Sequence, residues 1–500
     1  MSGLQPESYF FWNPGTKLFE IAIHRRSGYK RTDKVPLNVT GTKHLFSCLL
    51  VVLSIILLMG CSETSGTDQT DTSEGEKDVA TQATAPESFV SQQDGAPSTP
   101  PSYSYTYGQA SGNRATEGTG DLPNSSPVDV ELGGEPAWVV GVPIEDDTAW
   151  VVPLEDGQVE AFRLDEEGSV RPLPVSPGQL AAGQPPAVAA EGKGLRLLAS
   201  SGEGASTLTH PVPLSHDEGE GLLVVTEDGN LFVENAGGFV SVGSTQARAL
   251  PDARAVRSQS GWIALLSDPT DRYAHGVIGD DFEAGSIIIL EPSGESAEIV
   301  GSILPESGGV FELVAPLWFE GTSGEEELLA VTESAPDEGS RIALYEPGGR
   351  LVAAGPYMGQ EQRWRHLLAA GPFGPNGEVE IAAIRTPHIG GVVEFYAIDE
   401  DDYELEIVAA QPGYSSHEIS SRNLDTARAG DLDGDGACEL LVPSQDRTEL
   451  SAIRHGESGA EVAWTLPVGG VLTTNLVTAA APDGRVAVAA GRDGVLRIWP

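Results

Sequence analysis

Short apolar runs recur along the chain from residue 136 onward, and each is bounded by Gly, Pro, Asp or Glu. Eight of them stand out: 149–152, 195–198, 222–225, 263–266, 328–331, 381–384, 440–442 and 486–489. Most are followed by a turn and a second β-rich run in which apolar and polar positions alternate, and no useful helical period accompanies them. This pattern predicts an all-β domain built of short antiparallel strands.

Three of these segments share one hairpin form: VVPLEDGQVEAF, LLVVTEDGNLFV and VAAGRDGVLRIW. In each, an Asp-Gly pair separates the two β-rich runs, and this dipeptide is typical of tight hairpin turns. The eight runs begin mostly 40 to 65 residues apart, a spacing that favours the hairpin-built blades of a β-propeller. We therefore predict a propeller over 136–500 with seven blades, or eight. A pair of β-sandwiches is the alternative architecture.

The upstream sequence is of another kind. Residues 45–59 read LFSCLLVVLSIILLM without a charge, a stretch shorter than the roughly 20 residues that cross a bilayer core. Lys43 precedes it and Gly60-Cys61 follows it, as in a signal peptide. This ending resembles the lipobox of bacterial lipoproteins, which implies cleavage before Cys61 and a lipid on its thiol. An uncleaved signal anchor is the alternative.

The chain thus divides into four predicted regions. Residues 1–44 form a leader that a start codon assigned too early would explain, and 45–60 form the core of the signal peptide. Residues 61–135 are rich in Ser, Thr, Gly and Pro, and so are predicted to be a lipidated disordered linker, because they offer little apolar surface to bury. The propeller occupies 136–500.

Charge and cysteine content limit the partners and the covalent structure. The formal net charge is −45 at pH 7, which repels nucleic acid and anionic lipid, so we exclude both as ligands. The surface should attract divalent cations, although solubility or adaptation to a salty habitat also accounts for the charge. The three cysteines are Cys48 in the signal, Cys61 under the lipid and Cys438, so no intrachain disulfide forms after processing. We expect a monomer held together by its own core.

One acidic loop carries recognisable chemistry. In AGDLDGDGACELLVPS, Asp431, Asp433 and Asp435 alternate with small or apolar residues, and Glu439 follows just before an apolar run. Carboxylates at alternate positions of a tight loop can converge on Ca²⁺, which binds six to eight oxygens, and the backbone carbonyl of Ala437 is a natural further ligand. A solvated acidic turn is the alternative, but it would leave clustered carboxylates to repel one another.

The segment GDLDGDGACELLV resembles the FG-GAP repeat, also called VCBS, of integrin-α-like propellers. The resemblance implies that the loop between the first two strands of a blade binds Ca²⁺ through Asp431, Asp433, Asp435, Ala437 and Glu439. Glu439 departs from the Asp that is commoner in the family. Three other loops keep acid and glycine without the alternation, near His216, Glu320 and Gly374. We therefore predict one calcium ion and at most a weak second.

A second resemblance competes with the first. SGAEVAWTLPVGG followed by DGRVAVAAGRDGVLRIWP is similar to the PQQ-type propeller repeat, which occurs in an outer-membrane assembly lipoprotein. It implies the same architecture with a different partner, and the acidic loop counts against it.

No catalytic motif is recognisable. The sequence contains no Gly-x-Ser-x-Gly elbow, phosphate-binding glycine loop or cysteine cluster. The seven histidines after residue 200 are separated along the chain, which predicts unrelated surface or strand positions. We therefore predict a non-enzymatic binding or scaffold lipoprotein with an unidentified protein or glycan ligand, exposed on the outer membrane or cell surface. The alternatives are an assembly factor of the PQQ-like type and a propeller-based hydrolase or lyase that acts on carbohydrate.

Overall fold

The chain forms two compact units, Met1–Ala80 and Thr81–Pro500. The described part of this computed structural model comprises residues 8–13, 18–23, 32–35, 103–104, 114–115 and 118–500, apart from gaps at 146, 166–167, 215–220, 244–246, 322–325, 360–361, 400–401 and 481–482. The predicted signal core 45–60 and Cys61 lie outside these residues. Across the described ranges, no helix has both the length and the apolar character to span a bilayer.

The first unit contains one antiparallel sheet of three strands. These are β1 (Ser8–Asn13), β2 (Leu18–Ile23) and β3 (Thr32–Val35), in the order β1-β2-β3.

The second unit is a succession of small sheets that we call blades. Two short strands, β4 (Tyr103–Ser104) and β5 (Arg114–Ala115), and a further strand, β6 (Val128–Glu131), precede the first blade. Blade 1 comprises β7 (Val140–Ile144), β8 (Asp147–Pro153), β9 (Val159–Leu164) and β10 (Val170–Pro172), and blade 2 comprises β11 (Val175–Ser176), β12 (Val188–Glu191) and β13 (Gly194–Leu197). Blade 3 comprises β14 (Val212–Pro213), β15 (Leu222–Val225), β16 (Leu231–Asn235) and β17 (Gly238–Ser241). Blade 4 comprises β18 (Val256–Arg257), β19 (Ile263–Thr270), β20 (Glu283–Ser293) and β21 (Ser296–Ile303).

Blades 5 to 8 continue the pattern. Blade 5 comprises β22 (Val310–Glu320), β23 (Glu327–Ala335), β24 (Gly339–Tyr345) and β25 (Leu351–Ala354). Blade 6 comprises β26 (Arg365–Gly371), β27 (Glu380–Arg385), β28 (Gly391–Asp399) and β29 (Glu404–Tyr414). Blade 7 comprises β30 (Arg428–Gly430), β31 (Glu439–Pro443), β32 (Glu449–Gly456) and β33 (Gly459–Pro467), and blade 8 comprises β34 (Leu476–Ala480), β35 (Val486–Arg492) and β36 (Val495–Trp499). Successive strands within a blade pair antiparallel, except in blade 2, where β13 lies between β12, its antiparallel partner, and β11, its parallel partner.

Buried hydrophobic clusters join each blade to the next and close the series into a ring. One cluster runs through blades 3 to 6, and the others cross single boundaries. Residues of neighbouring blades share these clusters: Val151 and Leu195 for blades 1 and 2, Leu198 and Leu222 for 2 and 3, Phe395 and Leu440 for 6 and 7, Leu450 and Leu476 for 7 and 8, and Trp150 and Ala489 for 8 and 1. The fold is therefore an all-β propeller of eight blades, the higher of the two predicted numbers.

Seven of the eight apolar runs coincide with the second strand of a blade: β8, β15, β19, β23, β27, β31 and β35. The eighth coincides with β13, the last strand of blade 2 and the middle one of its sheet. A blade is covered by a neighbour on both faces, so such a strand buries successive side chains, as the unbroken burial of β31 shows. The three Asp-Gly pairs lie in the turns that follow β8, β15 and β35, each with its glycine at positive φ, and confirm the predicted hairpins.

The last blade is completed from the other end of the domain. Strand β6 pairs antiparallel with β36, with Val128 opposite Ile498. Arg497 Nε and Nη2 each donate to Asp129 at 2.7 Å, which fixes the register. The propeller therefore includes residues that the sequence analysis placed in the linker 61–135. Composition could not reveal this strand, because its partner lies more than 350 residues away along the chain.

Candidate functional sites

The acidic loop, residues 431–439, connects β30 to β31 in blade 7. Its carboxylates accept hydrogen bonds from its own backbone: Gly434 N to Asp431 Oδ1 (2.8 Å), Asp435 N to Asp433 Oδ1 (3.1 Å), Ala437 N to Asp435 Oδ1 (2.9 Å) and Leu432 N to Glu439 Oε2 (2.9 Å). The alternation of acid and small residues allows these tight turns, with Gly434 and Gly436 at positive φ.

Three of the five predicted ligands converge. Oxygens of Asp431, Asp433 and Glu439 all lie within 4.8 Å of one another, the only such group of potential metal ligands in the described part of the chain. Asp435 lies outside this group and is exposed, while Ala437 contributes its N–H to Asp435. The loop is thus pre-folded with its buried acid, Glu439, beneath two half-buried ones.

A single arginine supplies the positive charge at this loop. Arg454, on β32, donates from Nη2 to Glu439 Oε1 at 2.5 Å and to Asp433 Oδ2 at 3.2 Å. Its Nη1 lies 2.8 Å from Asp435 Oδ2. The indole N–H of Trp464 also donates to Asp433 Oδ2 at 3.0 Å. Sequence reasoning missed Arg454 because it lies on the next strand, outside the motif.

Glu439 is the fully buried carboxyl of the loop, so ionising it requires the most desolvation. Burial raises the pKa of this carboxyl to about 7, against the opposing effect of the bonds from Arg454 and the backbone of Leu432. A buried carboxylate that is so costly to ionise is stabilised by any cation that reaches it.

The donor set fits calcium. Carboxylate oxygens are the hard ligands that Ca²⁺ prefers, and a loop that already gathers three of them has little left to organise. Arg454 shares Asp433 and Glu439 with the predicted ion, so calcium and the guanidinium would compete for the same oxygens.

The segment upstream of β6 also contacts the acidic loop through backbone hydrogen bonds. Gly120 N donates to Asp431 O at 2.8 Å, and Leu122 N donates to Leu432 O at 3.1 Å. A Cβ at Gly120 would lie only 2.3 Å from the Leu432 carbonyl oxygen, so only glycine allows this approach. Leu122, at the start of a short 3₁₀ turn (Leu122–Asn124), is buried between blades 7 and 8.

A cavity of about 620 Å³ lies on the ring axis. Its wall includes residues just before the first strands of five blades: Trp138, Thr209, Arg254, Asn423 and Thr473. Both arginines at its wall are paired, because Arg254 donates to both Asp425 oxygens at 3.0 and 3.1 Å and Arg422 Nε donates to Asp252 at 2.8 Å. In contrast, the Thr209 hydroxyl and the Asn423 amide oxygen are buried without a hydrogen-bond partner.

Tyr103 also occupies the ring axis. Its strand pairs with the first strand of blade 6, opposite Ala370, and lies close to the first strands β22 and β30. The side chain is buried, and Gln259 Nε2 donates to its hydroxyl oxygen at 2.9 Å. Desolvation and the nearby Glu320 carboxylate raise the pKa of Tyr103 above its ordinary value. This residue, which the sequence analysis placed in a disordered linker, is part of the core.

Four histidines that looked unrelated in the sequence lie together beside Trp364. The Trp364 ring stacks on His366 with centroids 5.1 Å apart and meets His417 edge-on at 4.9 Å. His388 is next to His417, and His275 comes from a loop of blade 4. No short motif could predict this histidine cluster, because its members come from strand β26 and from three separate loops.

Comparison with known proteins gives no family. No family model and no curated protein match the chain. Among solved structures, the chain is similar to a europium-containing methanol dehydrogenase (TM-score 0.44, 9% identity, 75% of this chain and 88% of the other). It is also similar to the WD40 β-propeller domain of Doa1 (TM-score 0.33, 12% identity, 75% and 95%). The propeller assignment rests on the ring of blades, and the FG-GAP resemblance stays a prediction.

Proposed function

We propose that the chain is a lipid-anchored envelope protein whose propeller holds a glycan or protein ligand without reacting with it. The axial cavity carries the proposal. Both of its arginines are already paired with carboxylates, while a buried hydroxyl and a buried amide oxygen lack partners. Such a wall suits a neutral ligand rich in hydroxyl groups, because a sugar hydroxyl can donate to the amide oxygen and can donate to or accept from the threonine hydroxyl.

The binding proposal is tested with the full-length chain carrying Cys61→Ser, so that no lipid confuses retention. We expect it to bind isolated cell envelopes, and to bind one class of saccharide on a glycan array. Thr209→Trp places an indole in the axial cavity and should weaken both interactions at least about tenfold. Ser241→Trp adds the same side chain on the outer strand β17 and should change neither. Equal binding by both variants, or release of a cleaved glycan, would contradict the proposal.

The proposal includes a calcium ion in blade 7, as in FG-GAP or VCBS repeats. Asp431, Asp433, Asp435 and Glu439, with the carbonyl of Ala437, would hold it, and the ion would neutralise the buried carboxyl in place of Arg454. Its support is the convergence of three carboxylates on one loop. Its role would be structural, since the loop joins two strands of a blade.

The calcium proposal is tested by thermal denaturation with calcium and with chelator. We expect calcium to raise the melting temperature of the wild-type chain and to leave Asp433→Ala unchanged, because a ligand that binds only the folded state stabilises it. An equal melting temperature in all four samples would refute calcium binding.

The anchor at Cys61 rests on the sequence alone. We propose a lipid at this position that holds the protein at the outer membrane or cell surface. Labelled fatty acid should be incorporated into the wild-type chain and not into Cys61→Ser, and only the wild type should sediment with membranes. Membrane retention of the variant would instead support an uncleaved anchor.

A further inference from the structure

A second cavity, of about 480 Å³, adjoins the axial one, and we call it the outer cavity. Its walls come from blade 2 at Gln184, from the segment 199–211 that joins blades 2 and 3, and from β15. Thr207 and Thr209 line both cavities. An extended ligand can therefore pass from the axial cavity into the outer one over these two side chains.

The segment between the two cavities is held in place by Ser206. Its backbone N donates to Val225 O at 2.9 Å, and its buried hydroxyl donates to Pro251 O at 2.6 Å. The same hydroxyl oxygen accepts from Leu208 N at 3.1 Å. The residues on either side of Ser206 and Leu208 are thus positioned before a ligand arrives, which reduces the entropy lost on binding.

Thr209 carries a buried polar group at the junction of the cavities. Among the described residues, its hydroxyl has no hydrogen-bond partner. A buried hydroxyl without a partner costs free energy, so a ligand that bears hydroxyl groups gains a hydrogen bond here. Because Thr209 lines both cavities, this bond favours a ligand that extends across the junction.

The side chains that line the outer cavity suit an uncharged ligand. Gln184, Ser200 and Thr207 offer amide and hydroxyl groups, whereas none of the described residues that line this cavity is a lysine or an arginine. Its two acidic residues, Glu203 and Glu227, are exposed. An acidic ligand would therefore meet two carboxylates without a cation to pair with, which favours a neutral ligand.

The boundary between blades 2 and 3 has little side-chain volume to fill the space beside this cavity. Its hydrophobic cluster consists of Ala187, Ala189 and Leu198, with Leu222 packed against it, and is the smallest cluster in the described part of the chain. Alanines fill less space than the leucines, valines and phenylalanines at the other boundaries, so a cavity remains where the two blades meet.

We propose that the ligand of the axial cavity is a linear, neutral oligosaccharide, and that the outer cavity binds the sugar units that extend beyond the axial cavity. This inference rests on the proposed function, because it requires a glycan in the axial cavity. It adds that the protein recognises the length of a sugar chain: a short saccharide fills one cavity, and a longer one fills both.

The test is calorimetric titration of the full-length chain carrying Cys61→Ser. The probes are neutral oligosaccharides of glucose, mannose and N-acetylglucosamine, each as a series of two to six units. In the series that binds, we expect the six-unit sugar to bind at least about tenfold more tightly than the two-unit sugar. Oligogalacturonates of the same lengths should show no such increase, because each unit carries a carboxylate.

Two variants close the outer cavity from different walls. Ala205→Trp and Gln184→Trp each add an indole beside it, and neither residue lines the axial cavity. Both variants should bind the two-unit sugar as the wild type does and lose the increase with length. Binding of the short sugar also shows that the variant is folded, and if one variant does not fold, the other decides.

The remaining variants separate this inference from the proposed function. Thr209→Trp should weaken binding at every length, whereas Ser241→Trp, on the outer strand β17, should bind as the wild type does. Affinity that is independent of length, or a length dependence that persists with the outer cavity closed, would overturn the inference and leave the axial site intact. Absence of binding in all three neutral series would overturn the glycan ligand and this inference together.

Discussion

The acidic loop and the histidine cluster gather ligand-type side chains in opposite ways. The loop takes its carboxylates from nine consecutive residues, and its own backbone N–H groups hold them in place. The histidine cluster takes its rings from strand β26 and from three loops that are distant along the chain, and packing around Trp364 holds them. The first arrangement depends on local turns, whereas the second exists only when the ring is assembled.

The two regions also treat charge differently. The loop concentrates negative charge and requires a cation, which Arg454 supplies. The histidine cluster avoids charge, because burial lowers the pKa values of His366, His388 and His417. A local loop at the surface can therefore carry charged, half-exposed side chains. Side chains gathered between blades are buried, and there the cost of desolvating a charge favours neutral groups.

The largest effect should come from replacing Trp364, the ring around which the histidine cluster packs. Trp364→Ala should reduce the free energy of unfolding by about 3–5 kcal/mol, since it removes a fully buried indole and leaves a cavity. Chemical denaturation measures the loss. The stabilisation by calcium should persist in this variant, because the acidic loop lies in another blade; a loss of that response would show that the two regions are coupled.

A smaller effect should follow from removing the guanidinium of the acidic loop. Arg454→Met keeps much of the side-chain volume but leaves Glu439 without its charged donor, which should cost about 1–3 kcal/mol in chelator. Calcium should stabilise this variant more than the wild type, since the ion no longer competes with an arginine. Melting curves in both conditions measure the difference. Arg350→Met, which breaks an exposed pair with Glu346, is the control and should show neither change.

The smallest effect should come from Tyr103, which lies on a strand that belongs to no blade. Tyr103→Phe removes only the hydroxyl that accepts from Gln259, and should cost about 1 kcal/mol. Tyr103→Ala should cost several times more, because the ring lies in the largest hydrophobic cluster. Equal stability of Tyr103→Ala and the wild type would show that this segment leaves the ring axis in solution.

The sequence predicted those parts of the fold that a short stretch of chain encodes. Continuous apolar runs identified β8 and its equivalents, since strands covered on both faces need no polar alternation. Asp-Gly pairs identified three turns. The turn of the acidic loop is a local property in the same way, because acidic residues alternate with small ones, whereas its binding of calcium stays a prediction.

Contacts between residues that are distant along the chain could not be predicted from the sequence. Strand β6 is too short and too polar on alternate positions to be distinguished from the linker around it. Arg454 and the histidine cluster depend on which strands and loops become neighbours, and no periodicity encodes that. The spacing of the apolar runs, mostly 40 to 65 residues, favoured seven blades over eight, although each of the eight runs lies in a different blade.

The pairing of β6 with β36 has a consequence for the order of assembly. The strand made first among those of the ring waits for the strand made last, so the circle stays open until Trp499 has been synthesised and released. A product that stops before β34 would keep an unpaired strand edge at each side of the opening, and such edges favour association between chains. Premature termination should therefore yield aggregates rather than a smaller ring, because the ring can close only after β36 has been synthesised.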